Sequence, residues 1–311
     1  MPTHDSAPIG HADKTHDALE AFDPIFDVAL ARRALAEDVG RGDVTTEATI
    51  PAEARARGRI IARESGVVAG LPMAALIFAL LDPQAQIISL VADGATVEAG
   101  ATLAIVEGRA RALLTAERTA LNFLGRLSGI ASLAARCAAA VNAVNVANGT
   151  HAVVVDTRKT TPGLRALEKY AVRMGGARNH RAGLDDGVLI KDNHLAAAGG
   201  VTAAVTRARA TAGHLLRVEV ECETEDQVRE ALDVGAEAIL LDNMSPERMR
   251  AAVTLIRARA PQTIVEASGG IGTDPARLAA VAATGVDLIS LGALTHSAPN
   301  FDVSLEFDPQ G

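Results

Sequence analysis

Residues 151–194 read HAVVVDTRKTTPGLRALEKYAVRMGGARNHRAGLDDGVLIKDNH, and the fold is decided by how this stretch begins and ends. It opens on a β-branched run that closes at Asp156 and then releases Thr157, Arg158, Lys159 and Thr160 together. It closes on a second apolar run, Val188 to Ile190, followed at once by Lys191, Asp192, Asn193 and His194. Arg178, Asn179, His180 and Arg181 lie between. Cationic and polar groups placed where buried strands end are the signature of an α/β fold, which keeps its chemistry at the strand C-termini.

Outward from this stretch the same rhythm continues. Strand-like runs are expected at 152–156, 187–191, 217–221, 238–242, 263–267 and 287–291, with helical segments at about 163–175, 197–210, 224–234, 246–259 and 274–283. Near-continuously apolar strands alternating with helices imply a parallel sheet with right-handed crossovers. Six such units over about 145 residues fit an incomplete β/α barrel better than an open nucleotide-binding sheet, and no GxGxxG follows the first strand.

Upstream, the pattern differs. Pro24 to Val39 has the three- and four-residue apolar spacing of an amphipathic helix, ended by Gly40, and a turn-rich connection follows through Thr45-Thr46. Short runs at Arg59–Ala62, Gly66–Ala69, Ile87–Val91 and Thr102–Val106, separated by turn signals and one helix over Met73–Leu81, predict a small α+β sandwich domain with an antiparallel sheet. Thr115 to about Ala143 reads as helical and broken at Ser128-Gly129, with Thr115 as N-cap and Arg118 as an ill-placed cation in the first turn. The expected organisation is a tail over 1–22, an α+β sandwich domain over 23–130 and a barrel over 131–311, with a last strand at about 301–307 packing back on the N-terminal domain.

Composition narrows the function. The chain has 311 residues, a net charge of −8 and only 2% aromatics, so a phosphate-backbone surface and base-stacking platforms are both disfavoured. Residues 151–194 nevertheless carry eight Lys+Arg against five Asp+Glu. A basic site in an acidic protein suits a small anion, not a polyanion. Two cysteines are too few for a disulfide framework, which makes a reduced, cytoplasmic setting the expectation. No run reaches 18 apolar residues, so no membrane span is expected. His11 and His16 belong to the polar tail, where nothing nearby supplies further metal ligands in a fixed geometry. The segment DGATVEAGATLAIVEG has the turn-rich look of biotinyl and lipoyl carriers, but no lysine occurs between Lys14 and Lys159 to carry a cofactor.

At the strand ends the side chains sort by charge. Arg158, Lys159 and Lys191 come first, then Glu219, Glu221 and Asp242, then the turns Ser268-Gly269-Gly270 and Gly292. Glycine-rich turns entering helices expose N–H groups to phosphate. Glu221 and Asp242 offer the hard oxygens that Mg²⁺ prefers. The cations would neutralise carboxylates or a pyrophosphate.

These residues also carry a resemblance. DTRKTTPGLRALEKYAVRMGGARNHRAGLDDGVLIKDNH, ERTALNFLGRLSGIAS, VEVECET, LLDNMSPE, EASGGI and ISLGALTHS closely resemble, in the expected order over roughly residues 25–307, the quinolinate phosphoribosyltransferase family. The resemblance implies that quinolinate and phosphoribosyl pyrophosphate are joined, with Mg²⁺, to give nicotinate mononucleotide, pyrophosphate and CO₂. It implies that Arg158, His180, Arg181 and Lys191 hold the quinolinate carboxylates, and that Thr157 and Lys159 join both substrate sites. Glu221 and Asp242 would face the ribose and Mg²⁺-pyrophosphate, Asp242 and Glu221 binding the metal directly or through water, with Lys159, Glu221 and Asp242 as the catalytic set. Ser268, Gly269 and Gly270, with Ser290, Leu291 and Gly292, would cradle the 5-phosphate. Arg118 would reach a neighbouring subunit's site, implying a homodimer or higher even oligomer, and no nucleic-acid or membrane partner is implied. The family has seven barrel strands, of which the sequence shows six. Relatives often carry Asn where this chain has Gly270, a change expected to leave activity intact because backbone N–H groups do the holding. Two alternatives stand beside this reading: a phosphoribosyltransferase for another ring acid, and a Schiff-base lyase using Lys191.

Overall fold

A computed structural model describes residues 25–308; the tail histidines His11 and His16 lie outside them. The N-terminal part begins with helix α1 (Val28–Val39), whose N-cap Asp27 accepts the N–H of Ala29, and α2 (Val44–Thr49), capped by Asp43. The Thr45-Thr46 stretch expected as a turn is therefore helical, because Asp43 satisfies the N–H of Thr46. Strands β1 (Arg55–Ala62), β2 (Gly66–Val67), β3 (Gln86–Ser89), β4 (Thr96–Val97) and β5 (Thr102–Arg109) follow, with α3 (Leu71–Leu81) after β2. The main sheet is antiparallel, and its fourth strand is the C-terminal β12 (Val303–Phe307), which pairs with β1 from Gly58↔Phe307 to Ala62↔Val303.

The connection between the two halves corrects one expectation. Helix α4 is a single 39-residue element, Ala110–Asn148, that begins where β5 ends. Thr115 is thus not its N-cap, and Arg118 lies in its third turn, so the objection from the helix dipole disappears. Ser128-Gly129 does not break it. The serines at 128 and 132 face the chain at 67–69, where Ser132 Oγ takes the N–H of Val67 at 2.8 Å and Ser128 Oγ that of Ala69 at 3.0 Å. A Cβ at Gly129 would come within 1.9 Å of the Pro299 carbonyl oxygen. These small residues are there for close approach between backbones. Among the described residues α4 is the one helix long and apolar enough to cross a membrane, yet most of its apolar window is buried inside the protein, as in a core helix.

The second half alternates as expected: β6 (Val153–Val155), α5 (Arg165–Met174), β7 (Val188–Ile190), α6 (Asp192–Ala198), α7 (Val201–Thr211), β8 (Val218–Cys222), α8 (Glu225–Asp233), β9 (Ala238–Asp242), α9 (Pro246–Arg259), β10 (Ile264–Ser268), α10 (Pro275–Ala282), β11 (Leu288–Ser290) and the short α11 (Ala293–His296). The helix expected over 197–210 is divided at Gly199-Gly200, both at positive φ. The six strands form one parallel sheet in the order β6-β11-β10-β9-β8-β7.

Beside β6, on its free side, Arg178 makes a parallel bridge to Val155, with its N–H on the Val154 carbonyl at 2.9 Å. This one-residue strand occupies the seventh position. It is too short to leave any periodicity in the sequence. Two residues on, His180 Nε2 lies 3.3 Å from carboxylates on both β8 and β10. In a flat sheet β8 would stand roughly 19 Å from β6, at ~4.8 Å per strand. The contact therefore requires the sheet to curl back on itself, as an incomplete barrel does.

Candidate functional site

The C-terminal ends of the parallel strands open into a cavity of about 630 Å³. Its walls include Thr157, Arg158, Lys159, His180, Arg181, Lys191, Glu221, Asp242, Ser268, Gly269, Gly270, Ser290, Leu291 and Gly292. Those fourteen are the expected site residues except Arg118, which stands exposed on α4 and does not line this cavity.

The cationic wall is built on a buried ion pair. Asp156, fully buried at the end of β6, receives the ammonium of Lys169 from α5, the Asn179 amide at 2.6 Å and the His180 N–H at 2.9 Å. Lys169 also donates to the His180 carbonyl at 2.9 Å. The 178–181 segment is thereby tied to the strand that carries Arg158 and Lys159. A second buried acid, Glu168, accepts Thr161 N and Oγ1 and the Arg126 guanidinium, which pins the loop after Lys159 to α4.

Arg158 and Arg181 stand close enough for their charges to oppose each other, with Glu219 and Asp186 partly compensating at Arg181, which also donates to the Gly187 carbonyl at 2.8 Å. Among the described residues, Arg158 Nε is buried without a hydrogen-bond partner. Burial first, and then the Arg158 guanidinium, hold the Arg181 pKa below its usual range. Two crowded guanidiniums with an unsatisfied donor are an anion site, since an unmade buried bond costs roughly 1–3 kcal/mol and more for a charged group.

His180 behaves differently from the other cations. Its Nδ1 accepts the Arg181 N–H at 2.7 Å, and its Nε2 faces Glu219 and Glu266. Those two carboxylates push the imidazole pKa up to about 10, against the opposing pull of burial, while burial raises that of Glu219. Nδ1 can accept the Arg181 N–H only in the neutral ring, whose proton then sits on Nε2 between the two carboxylates; charging the ring gives up that bond. Both ring nitrogens are engaged within the protein. Glu266 sits in the quoted EASGGI segment, but only the folded sheet brings it to His180.

The opposite wall is acidic and glycine-rich. Lys191 Nζ pairs with Glu221, and Asp242 at the end of β9 has its pKa raised by burial and then by the charge of Glu221. Gly269, Gly270 and Gly272 all take positive φ, and among the described residues the N–H groups of Gly269, Gly270 and Gly292 meet no acceptor. Gly270 has φ 55°, the left-handed region that Gly and Asn share. A Cβ at Gly292 would meet Lys159 Cδ at 3.0 Å and His296 Nε2 at 3.1 Å. Lys159 and His296 therefore converge on this turn, and His296 is a cavity residue the sequence reading did not single out.

Comparison with known proteins agrees with this geometry. Residues 43–128 match the family model of the quinolinate phosphoribosyl transferase N-terminal domain, and residues 130–306 match that of the C-terminal domain. The chain belongs to the quinolinate phosphoribosyltransferase family. Among members of that family, it is 46% identical over 272 residues to a probable nicotinate-nucleotide pyrophosphorylase (carboxylating) of Synechocystis sp., covering 88% of this chain and 89% of that one. It is 45% identical to the nicotinate-nucleotide pyrophosphorylase (carboxylating) of Mycobacterium leprae, over 90% of this chain and 98% of the relative. The structure of the nicotinate-nucleotide pyrophosphorylase of Francisella tularensis superposes with a TM-score of 0.84 at 36% identity, covering 93% of this chain and 99% of that one. The quinolinate phosphoribosyltransferase fold thus accounts for both the antiparallel N-terminal sheet and the parallel sheet that carries the site.

Proposed function

We propose that this chain transfers the phosphoribosyl group of phosphoribosyl pyrophosphate to the ring nitrogen of quinolinate and releases pyrophosphate and CO₂, leaving nicotinate mononucleotide. The observation that carries this reading is the half-buried Arg158–Arg181 pair, mutually repelling and, among the described residues, with the Arg158 Nε left without an acceptor, facing an acid- and glycine-lined wall across one cavity. Adjacent carboxylates on one ring are the anion that satisfies two converging guanidiniums. Lys191, released from Glu221, adds a third charge.

At the other wall the unengaged N–H groups of Gly269, Gly270 and Gly292 hold the 5-phosphate, with Ser268 and Ser290 beside them. Attack by the ring nitrogen at the ribose C1 breaks the bond to pyrophosphate. Glu221 stabilises the positive charge that grows on the ribose, and Lys159, laid across the Gly292 turn, stabilises the departing pyrophosphate. The carbon–carboxylate bond then breaks, CO₂ leaves, and the electron pair left on the ring carbon takes a proton. Mg²⁺ fits the site: Glu221 and Asp242 supply hard oxygen donors, and burial and then the charge of Glu221 raise the Asp242 pKa, a strain that a cation there would relieve. When bound, it neutralises pyrophosphate charge.

The assembly belongs to the same proposal. Arg118 is exposed and outside its own chain's cavity, so it serves the site of a partner in a homodimer or larger even oligomer. The cytoplasmic setting is also proposed, on the free, buried thiols of Cys137 and Cys222. A Schiff-base reaction through Lys191 is disfavoured because its ammonium is paired with a carboxylate, the opposite of a desolvated free amine. The deciding experiment offers quinolinate, phosphoribosyl pyrophosphate and Mg²⁺ together. Stoichiometric CO₂ and nicotinate mononucleotide are expected; nicotinate or orotate supporting faster turnover than quinolinate would overturn the reading in favour of another ring acid.

A further inference from the structure

Asn243 is the one non-glycine residue at positive φ among the described residues, with φ 54°. It follows Asp242 at the end of β9 and does three things there. Its N–H donates to the Ser268 carbonyl at 3.1 Å, carrying the β9–β10 ladder one step past the Asp242↔Ser268 pair. Its amide Nδ2 donates to Asp242 Oδ2 at 2.5 Å. Its Oδ1 and backbone N lie 2.4 and 2.6 Å from where a Cβ on Gly269 would be, so the glycine turn is seated directly against it.

Every other positive-φ position described in this chain is glycine, which adopts that region without steric cost. A side chain retained at the one exception, between a carboxylate and a phosphate cradle, points to a use for the side chain itself. Because Asp242 and Ser268 are ladder partners, one residue fixes both.

We propose that Asn243 is a positioning residue, whose left-handed backbone turns the Asp242 carboxylate into the cavity and whose amide holds one carboxylate oxygen so that the other faces the pyrophosphate end, in fixed register with the Ser268–Gly270 turn. This rests on the assignment of Asp242 to that end of the site. Asn243 itself lines the cavity; the role proposed for it runs through Asp242 and Gly269.

The test is Asn243→Gly, which keeps the backbone conformation and removes the amide. Calorimetric binding of Mg²⁺-pyrophosphate should weaken about tenfold, the worth of a hydrogen bond to a charged group. In turnover, the KM for phosphoribosyl pyrophosphate and the Mg²⁺ concentration for half-activity should rise by a similar factor, while the KM for quinolinate stays within about twofold. A purely conformational role predicts no change in any of these, and that result overturns the proposal. Should the glycine variant fail to fold, Asn243→Asp retains the shape and the tolerance for positive φ but cannot donate, and the same loss is expected. Asp242→Asn separates the two layers. If it leaves pyrophosphate binding unmoved, the assignment of Asp242 falls and the proposal with it. If it weakens binding and both Asn243 variants do not, only the role of Asn243 is lost.

Discussion

Lys169 on α5 and Asp156 at the end of β6 form an ion pair with almost no solvent exposure, and the same carboxylate receives the backbone N–H of His180. The pair therefore joins strand, helix and the 178–181 segment at one point. Removing a single partner leaves a bare buried charge, which costs roughly 3–5 kcal/mol. Lys169→Met and Asp156→Asn should each lower the urea midpoint accordingly and raise the KM for quinolinate, because Arg158 and Arg181 lose their common support. The double variant should be less destabilised than the sum of the two singles. Additive losses would show that the pair is not coupled.

Arg158→Ala should behave in the opposite way. Its charge is opposed by that of Arg181 and its Nε has no acceptor among the described residues, so folding needs it little. The expected result is a KM for quinolinate raised by roughly 10- to 100-fold, with the melting temperature within a few degrees of the parent. Wild-type turnover at subsaturating quinolinate would remove Arg158 from the site.

His180 gives the stability a pH signature. Its pKa is raised from an ordinary 6.5 to about 10 in the folded protein by Glu219 and Glu266. A group raised on folding contributes fully below its unfolded pKa and loses that contribution as the pH climbs through its folded one. Unfolding free energy should therefore decline between pH 6.5 and 10, and His180→Gln should decline less over the same range. Parallel declines would refute the linkage.

The glycine turns separate two neighbours. Gly269→Ala forces a Cβ into Asn243, at 2.4 Å from Oδ1 and 2.6 Å from the backbone N, and should abolish most activity with a raised KM for phosphoribosyl pyrophosphate. Gly270→Asn adopts a φ that asparagine accepts, and its Cβ would stand 3.8 Å from Asn243 Oδ1. Activity within about threefold of the parent is expected. A dead Gly270→Asn enzyme would mean that the cradle needs more than its backbone.

For Arg118 the expectation is complementation. Inactive Arg118→Ala mixed with inactive Lys159→Ala should regain part of the activity through mixed assemblies. No recovery after demonstrated subunit exchange would count against action in trans.

How much of this was legible beforehand depends on range. Strand 238–242 and helix 246–259 were read from the sequence with the limits they have in the structure, because an apolar run and a Ser-Pro start with basic residues at the end are local signals. The cations and carboxylates at strand ends were visible for the same reason. Helix α4 was cut short because Thr115 and Ser128-Gly129 look like punctuation, whereas Gly129 answers to Pro299, far along the chain. Arg178 as a seventh strand, Glu266 beside His180, and Asn243 beneath Gly269 are all relations between elements. No periodicity records them.

The pairing of β12 with β1 has a consequence for how the molecule is made. Arg57 and Asp308, joined by an ion pair at 2.6 Å, are 251 positions apart. Until the residues of β12 have been made, the β1 edge that they cover stays open while the whole parallel half is synthesised. Such an open edge can recruit other strands, so the early half of this protein is exposed to mispairing until β12 closes it.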